Sequence, residues 1–155
     1  MESSRLANLN DLSDIFLLAQ EARMEAAEKR GGSTLILLDA DPSELENQLL
    51  KSLSEDKYLV VIGLYAEVPV GYGLVEFKET HEKSLHATIK EIFVSKKARS
   101  VGVGEIILSL LLSESTLRKA VGIDSVALPG DRETKNFFET QGMVARAIVV
   151  HRSLM

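Results

Sequence analysis

Residues 98–105 read Ala98-Arg99-Ser100-Val101-Gly102-Val103-Gly104-Glu105. The run before them, "ATIKEIFV" (87–94), is rich in β-branched and aromatic residues. The run that follows, "EIILSLLLSESTLRKA" (105–120), repeats apolar residues at helical spacing. The stretch therefore reads as the turn from a strand into a helix. A helix N-terminus presents main-chain N–H groups with no partner inside the helix, and it carries about half a positive charge. Anions bind there. Gly102 and Gly104 let a backbone approach a ligand closely and adopt positive φ. Arg99 adds a fork of donors suited to phosphate. The stretch thus has the donors, field and clearance for a phosphate or pyrophosphate. The competing reading is that the glycines only turn the chain. Neither common nucleotide fingerprint fits. A dinucleotide motif needs a third glycine where Ile107 stands, and a P-loop needs Gly-Lys-Ser/Thr.

Composition limits what such a site can serve. The chain has 155 residues, 45% hydrophobic and 26% charged, a size and balance suited to one domain, 1–155, with a real core. It has no cysteine, which excludes disulfides, thiolate metal sites and a cysteine nucleophile. Three histidines, scattered along the chain, give no metal-ligand spacing, so no metal is expected. The net charge of -5 argues against nucleic acid as a partner and favours cationic ligands such as amines or basic peptides. The N-terminal residues carry no signal-peptide pattern, and "EIILSLLL" is far short of the ~18–20 residues of a membrane span. A cytoplasmic protein with no membrane partner is expected.

The remaining elements follow from caps and periodicity. Ser3–Ala7 reads as a short first strand. Asn8 fits a helix cap, with Asp11 in the first turn, before the apolar positions Leu12, Ile15, Phe16, Ala19, Ala22 and Ala26. Gly31-Gly32 reads as its stop. Asp41, Pro42 and Glu44 open a second helix reaching about Leu53. "YLVVIGLYA", Val70–Lys78 and His86–Val94 read as strands, the last alternating Ala87, Ile89, Glu91, Phe93 against Thr88, Lys90, Ile92, Val94. A third helix starts near Val101 and ends near Gly122. "IDSVAL" reads as a strand, Asp131 caps a helix over "RETKNFFETQ", and "MVARAIVVHR" reads as a final strand. Strands first in a meander, then alternating with helices, predict an α/β fold with a mixed sheet.

On these residues the chain resembles the GNAT superfamily of acetyl-CoA-dependent N-acetyltransferases. Its signature Arg/Gln-x-x-Gly-x-Gly/Ala stands here as Arg99-Ser100-Val101-Gly102-Val103-Gly104, preceded by Glu91-Ile92-Phe93-Val94 at the usual distance. A second signature is matched by Asp131, Thr134, Phe137, Phe138, Gly142 and Met143, and the element order agrees over nearly the whole chain. The resemblance implies a mostly antiparallel mixed sheet of about 6–7 strands, splayed between the fourth and fifth, with about four helices. It implies acetyl-CoA as cosubstrate. Main-chain groups of Ile92, Phe93 and Val94 would hold the pantetheine arm. Backbone amides of Arg99, Ser100, Val101, Gly102, Val103 and Gly104 would hold the pyrophosphate. Asp131, Lys135 and Phe138 are further cofactor contacts on this likeness. A homodimer is compatible with it.

The implied reaction is direct attack of an amine on a thioester. A free alkylamine has a pKa near 10, so it must lose a proton first. Glu91 is the candidate base, acting through water; the alternative for Glu91 is a solvated or lysine-paired strand carboxylate. The superfamily commonly has a proton-donating tyrosine where this chain has Phe138. An ordinary thiol has a pKa near 8.5, which makes its thiolate a tolerable leaving group without full protonation. Tyr58, Tyr65, Tyr72 or solvent are the alternatives. The sequence therefore leaves two functions open, an N-acetyltransferase for an amine-bearing small molecule or peptide, and a non-catalytic CoA-binding module.

Overall fold

The computed structural model describes residues 1–155. Strand β1 (Glu2–Leu6) leads through a 3-10 turn (Leu9–Asp11) into helix α1 (Leu12–Ala27). Asn8 and Asp11 close a reciprocal capping box there. Helix α2 (Gly32–Leu38) and helix α3 (Leu45–Ser54) follow, the latter entered through Pro42–Glu44 with Asp41 as its cap. Strands β2 (Tyr58–Tyr65), β3 (Val68–Glu79) and β4 (Leu85–Val94) form an antiparallel meander. Helix α4 (Val103–Leu117) crosses to strand β5 (Ala120–Ser125), and helix α5 (Arg132–Thr140) follows. No helix is long and apolar enough to cross a membrane.

The sheet order is β1-β2-β3-β4-β5, antiparallel except for the parallel β4–β5 pair. A helical crossover is what a parallel neighbour requires. The two faces carry separate cores. Val60, Ile62, Leu64, Tyr72 and Phe93 meet Ile15 and Ala19 of α1 and Leu45 and Leu49 of α3. Leu59, Val61, Val75 and Ile89 meet Ile107, Leu108 and Leu111 of α4 and Phe138 of α5. The alternation along β2 feeds both cores, so "LVVIGL" reads as a continuous apolar run rather than a half-polar strand. Gly63 has no side chain because α4 presses against it: a Cβ there would stand 2.6 Å from Ile107 and 2.8 Å from Val103.

Several expectations are corrected. The sheet has five strands, not six or seven, and there are five helices, not four. The extra helix is α2, which follows directly after Gly31 in left-handed conformation at φ 83°. "IDSVAL" is displaced: α4 ends at Leu117, Lys119 turns at φ 66°, and β5 begins pairing at Ala120. "MVARAIVVHR" forms no strand: after Met143 it makes no main-chain hydrogen bond, and Arg146 meets Asp124 of the edge strand β5 through side chains alone. The alternation along β4 is also broken. Leu74 faces Glu91 but Val75 faces Ile89, so Lys90 is an extra, bulged residue. A one-residue bulge reverses which side each later residue faces. Ala87 and Ile89 lie in the α4 core, whereas after the bulge Ile92 and Val94 lie there and Phe93 points to α1.

Candidate functional site

The parallel pairing of β4 and β5 runs from Leu85–Ala120 to Ile89–Ser125 and stops. From Lys90 to Val94, β4 keeps its β3 neighbour but has no strand on its other side. The splay expected between the fourth and fifth strands is therefore present, and it begins at the bulge. A cleft of about 920 Å³ opens into it, lined by residues of β4, β5, α1, α4 and α5. That is the size of a site for an organic ligand.

The loop from β4 to α4 forms one wall. Lys96–Ala98 makes a single 3-10 turn, Ser100 lies at φ 70° and Gly102 at φ 86°. Gly102 is the N-cap of α4, and no side chain caps the helix. The first bond of the helix is Ile106 N–H to Gly102 C=O at 3.1 Å, so Val103, Gly104 and Glu105 keep their amides free of the helix ladder. Gly102 is required by its left-handed backbone rather than by crowding, since its nearest neighbour is Glu2 at 3.7 Å.

Arg99 is already engaged. Its Nε donates to Val94 C=O at 2.9 Å and its Nη2 to Glu25 Oε2 at 2.7 Å, with the guanidinium over the Phe93 ring. The hydrogen bond from Arg99 holds the Glu25 carboxyl below its ordinary value, and the same bond raises Arg99. Lys29 sits between Glu25 Oε1 at 3.4 Å and Asp131 Oδ2 at 2.7 Å. Asp131 also caps α5, accepting from Thr134 N–H at 3.1 Å and its hydroxyl at 2.7 Å. Burial works to raise the Asp131 carboxyl, but Lys29 and Thr134 outweigh it and hold it low. Arg99, Glu25, Lys29 and Asp131 thus form a chain of charges tying the glycine loop, α1 and α5 together beside the cleft.

Glu91 is turned towards α1 by the bulge. Its Oε1 accepts from Arg23 Nη1 at 2.7 Å and from the Tyr72 hydroxyl at 2.9 Å, while no protein group donates to Oε2. Arg23 also donates to Ala19 C=O and pairs with Asp39 at 3.2 Å. Burial, followed by the Glu91 charge, pushes the Tyr72 phenol well above its ordinary value, so it is a neutral donor. Burial opposes the charge on Arg23, but Glu91 and its neighbours outweigh that and raise it.

The expected residues divide. Glu91, Ile92, Phe93, Val94, Arg99, Ser100, Gly102, Gly104, Asp131 and Phe138 all line the cleft. Val101 borders a different hollow, and the Val103 side chain is buried in the core. Lys135 is exposed on α5 and does not reach the cleft wall. Among the tyrosines, Tyr58 and Tyr72 line the cleft, and Tyr65 lies in the second hollow. The sequence reading missed Arg23, Glu25 and Lys29. One signal was available: Arg23 stands four residues after Ala19, a charge inside the apolar stripe of α1.

No protein-family model and no curated protein sequence matches the chain. Solved structures do match. A mutant of the BH1408 protein from Bacillus halodurans superposes with a TM-score of 0.84 at 16% identity, covering 98% of this chain and 99% of that one. The aminoglycoside N-acetyltransferase AAC(6')-Iy, in complex with CoA, gives 0.78 at 13% identity over 100% of this chain and 96% of that one. A ribosomal-protein-alanine N-acetyltransferase from Brucella melitensis gives 0.72 at 12% identity over 99% of each. The chain has the fold of the GNAT superfamily of N-acetyltransferases.

Proposed function

We propose that the protein is an acetyl-CoA-dependent N-acyltransferase acting on a primary amine of a small molecule or peptide. The observation that carries this reading is the opening of the sheet beyond Ile89 and Ser125, with an uncapped helix N-terminus beside it. The residues fit an acyl-CoA. The free amides at the start of α4 suit a pyrophosphate. The bulged stretch from Lys90 to Val94 has a main-chain edge with no strand opposite, ready to bond an extended pantetheine arm. Val94 C=O is the exception, because Arg99 already donates to it. Bound acetyl-CoA would supply an activated thioester carbonyl.

This chain's own groups would then do three things. Main-chain N–H groups of the bulged strand orient that carbonyl and favour the charge that develops on its oxygen. Glu91 receives the amine proton at Oε2 through a water, since Arg23 and Tyr72 hold Oε1. Arg99 positions the loop against α1 rather than offering a free fork to the phosphates.

Phe138 favours a second reading, a CoA-binding module without turnover, because it offers no proton to a leaving thiolate at the place where a tyrosine is common. Calorimetric titration with acetyl-CoA and with CoA, followed by acetyl transfer to a panel of amines and peptides, tests both. Micromolar binding with transfer supports the enzyme. Binding with silence across the panel supports the module. No binding at millimolar cofactor would sink both.

A further inference from the structure

Helix α2 carries four apolar residues in a row, Leu35-Ile36-Leu37-Leu38, and buries none of them fully. Leu35 is 45% exposed and Leu38 80% exposed, yet both, with Ile36, line the cleft. Leu45 and Leu49 of α3 and Leu74 of β3 are buried residues of the same lining. Apolar side chains gathered on a cleft wall and open to solvent mark a surface that takes an apolar ligand. This wall is tied to Glu91. Asp39 N–H closes α2 by donating to Leu35 C=O at 3.2 Å and Ile36 C=O at 3.1 Å, and the Asp39 carboxylate meets Arg23 at 3.2 Å. The same guanidinium donates to Glu91 Oε1 at 2.7 Å. A single arginine thus links the end of α2 to the carboxylate proposed to take the amine proton.

Charge in this part of the cleft is balanced. From α1 to the end of β4, Arg23, Lys29, Lys51 and Lys90 give the lining four cations against four carboxylates. Those carboxylates are already paired: Glu25 with Arg99 and Lys29, Asp39 and Glu91 with Arg23, Glu76 with Lys57. Glu91 Oε2, to which no protein group donates, is left for one ammonium. A polyamine or an aminoglycoside brings several ammonium groups, and each needs a counter-charge when it leaves water. The wall beside Glu91 offers leucines instead.

We propose that the amine this cleft takes is a lipophilic monoamine, its ammonium at Glu91 Oε2 and its apolar body against Leu35, Ile36 and Leu38. This rests on the reading of the cleft as an amine site. Helix α2 is pinned for such a contact. Gly31 turns left-handed at φ 83°, and Gly32 packs so closely that a Cβ there would stand 1.7 Å from Ala26 C=O. The body of the amine covers leucines that the fold leaves in water, so each methylene that it buries adds affinity.

Calorimetry tests binding apart from turnover. Butylamine, hexylamine, octylamine, 1-octanol and spermine are each titrated into the full chain. Affinity for the alkylamines is expected to rise about two- to fourfold per added methylene, and octylamine to bind more tightly than spermine. 1-Octanol, which lacks the ammonium, should bind about tenfold more weakly than octylamine. Leu35→Ser and Leu38→Ser, both at exposed positions, should flatten the rise with chain length. Affinity independent of chain length, equal binding of 1-octanol, tighter binding of spermine, or no amine bound at millimolar concentration overturns the proposal. So does an unchanged rise in the leucine variants, which would assign α2 to a protein or membrane contact. Failure of the enzyme reading is a different result: octylamine binds with the expected length dependence but receives no acetyl group from acetyl-CoA.

Discussion

Glu91 owes its position to a single extra residue. Without the bulge at Lys90 its side chain would point into the α4 core with Ala87 and Ile89; with it, the carboxylate meets Arg23 and Tyr72. Glu91→Gln keeps an oxygen that can accept from both donors and removes the negative charge from the carboxyl position that no protein group occupies. On the proposed reading, kcat should fall on the order of 10²-fold while CoA affinity stays unchanged. Equal turnover in the two proteins, measured at saturating amine, removes Glu91 from proton transfer. Glu25 makes the opposite case. Its carboxylate binds Arg99 beside the loop proposed to hold a pyrophosphate, where a negative charge opposes the ligand. Glu25→Gln removes that charge and loosens Arg99. CoA should bind more tightly, by up to about fivefold, the scale of one partly solvated charge pair. Weaker binding in calorimetry would mean that the Glu25–Arg99 bond is needed to shape the loop.

At the scale of elements, the two glycines of the loop have different reasons to be glycine. Gly102 lies at φ 86°, and an alanine there pays about 1–2 kcal/mol for left-handed backbone. Gly104 lies inside α4, and its Cβ would meet Phe137 at 3.5 Å and Val94 at 3.6 Å, ordinary contact distances. Gly102→Ala should lower the unfolding free energy by about that amount and weaken CoA binding, while Gly104→Ala should hold or raise stability by up to about 1 kcal/mol, as alanine does for glycine in a helix. Urea unfolding of both variants decides; a larger loss at Gly104 would reverse the assignment. The same loop shows what sequence could and could not convey. Local chemistry was legible: the Asn8–Asp11 box, the Asp41-Pro42 start, the Asp131 cap and the glycine turn all act within a few residues. Non-local contacts were not. The bulge depends on pairing with β3, and α2 has β-branched residues and no side-chain cap to announce it. "MVARAIVVHR" has the composition of a strand, but composition cannot say whether its main chain finds a partner. The charge chain from Arg99 to Asp131 spans α1 and α5, elements far apart in sequence.

For the whole molecule, these charge pairs set how stability responds to pH. Asp11 accepts two bonds from Arg5 at 2.8 Å and one from Asn8 N–H at 2.9 Å, and the Arg5 bond leads the effects that lower its pKa. Glu25, Asp124 and Asp131 are lowered too. A lowered carboxyl contributes stability above its unfolded value and loses it as pH falls through the folded one, so the loss begins below about pH 4. On the alkaline side the sign reverses. Burial and Glu91 raise Tyr72, and Asp131 raises Lys29 against the effect of burial. Their contributions are complete below the unfolded values and decline as pH rises past about 10. The unfolding midpoint in urea should therefore be flat from about pH 5 to about pH 9 and fall on both sides. Salt separates the contributors. The exposed Arg146–Asp124 pair is screened, whereas Asp11, only 5% exposed, is shielded from counterions. High salt should thus remove part of the acid limb and leave the part due to Asp11. Asp11→Asn should cost about 1 kcal/mol at neutral pH, as loss of a charged cap does, and make the remaining acid limb shallower. An acid limb of the same slope in wild type and Asp11→Asn would show that other carboxylates carry it, and that the box at the head of α1 is held by geometry rather than charge.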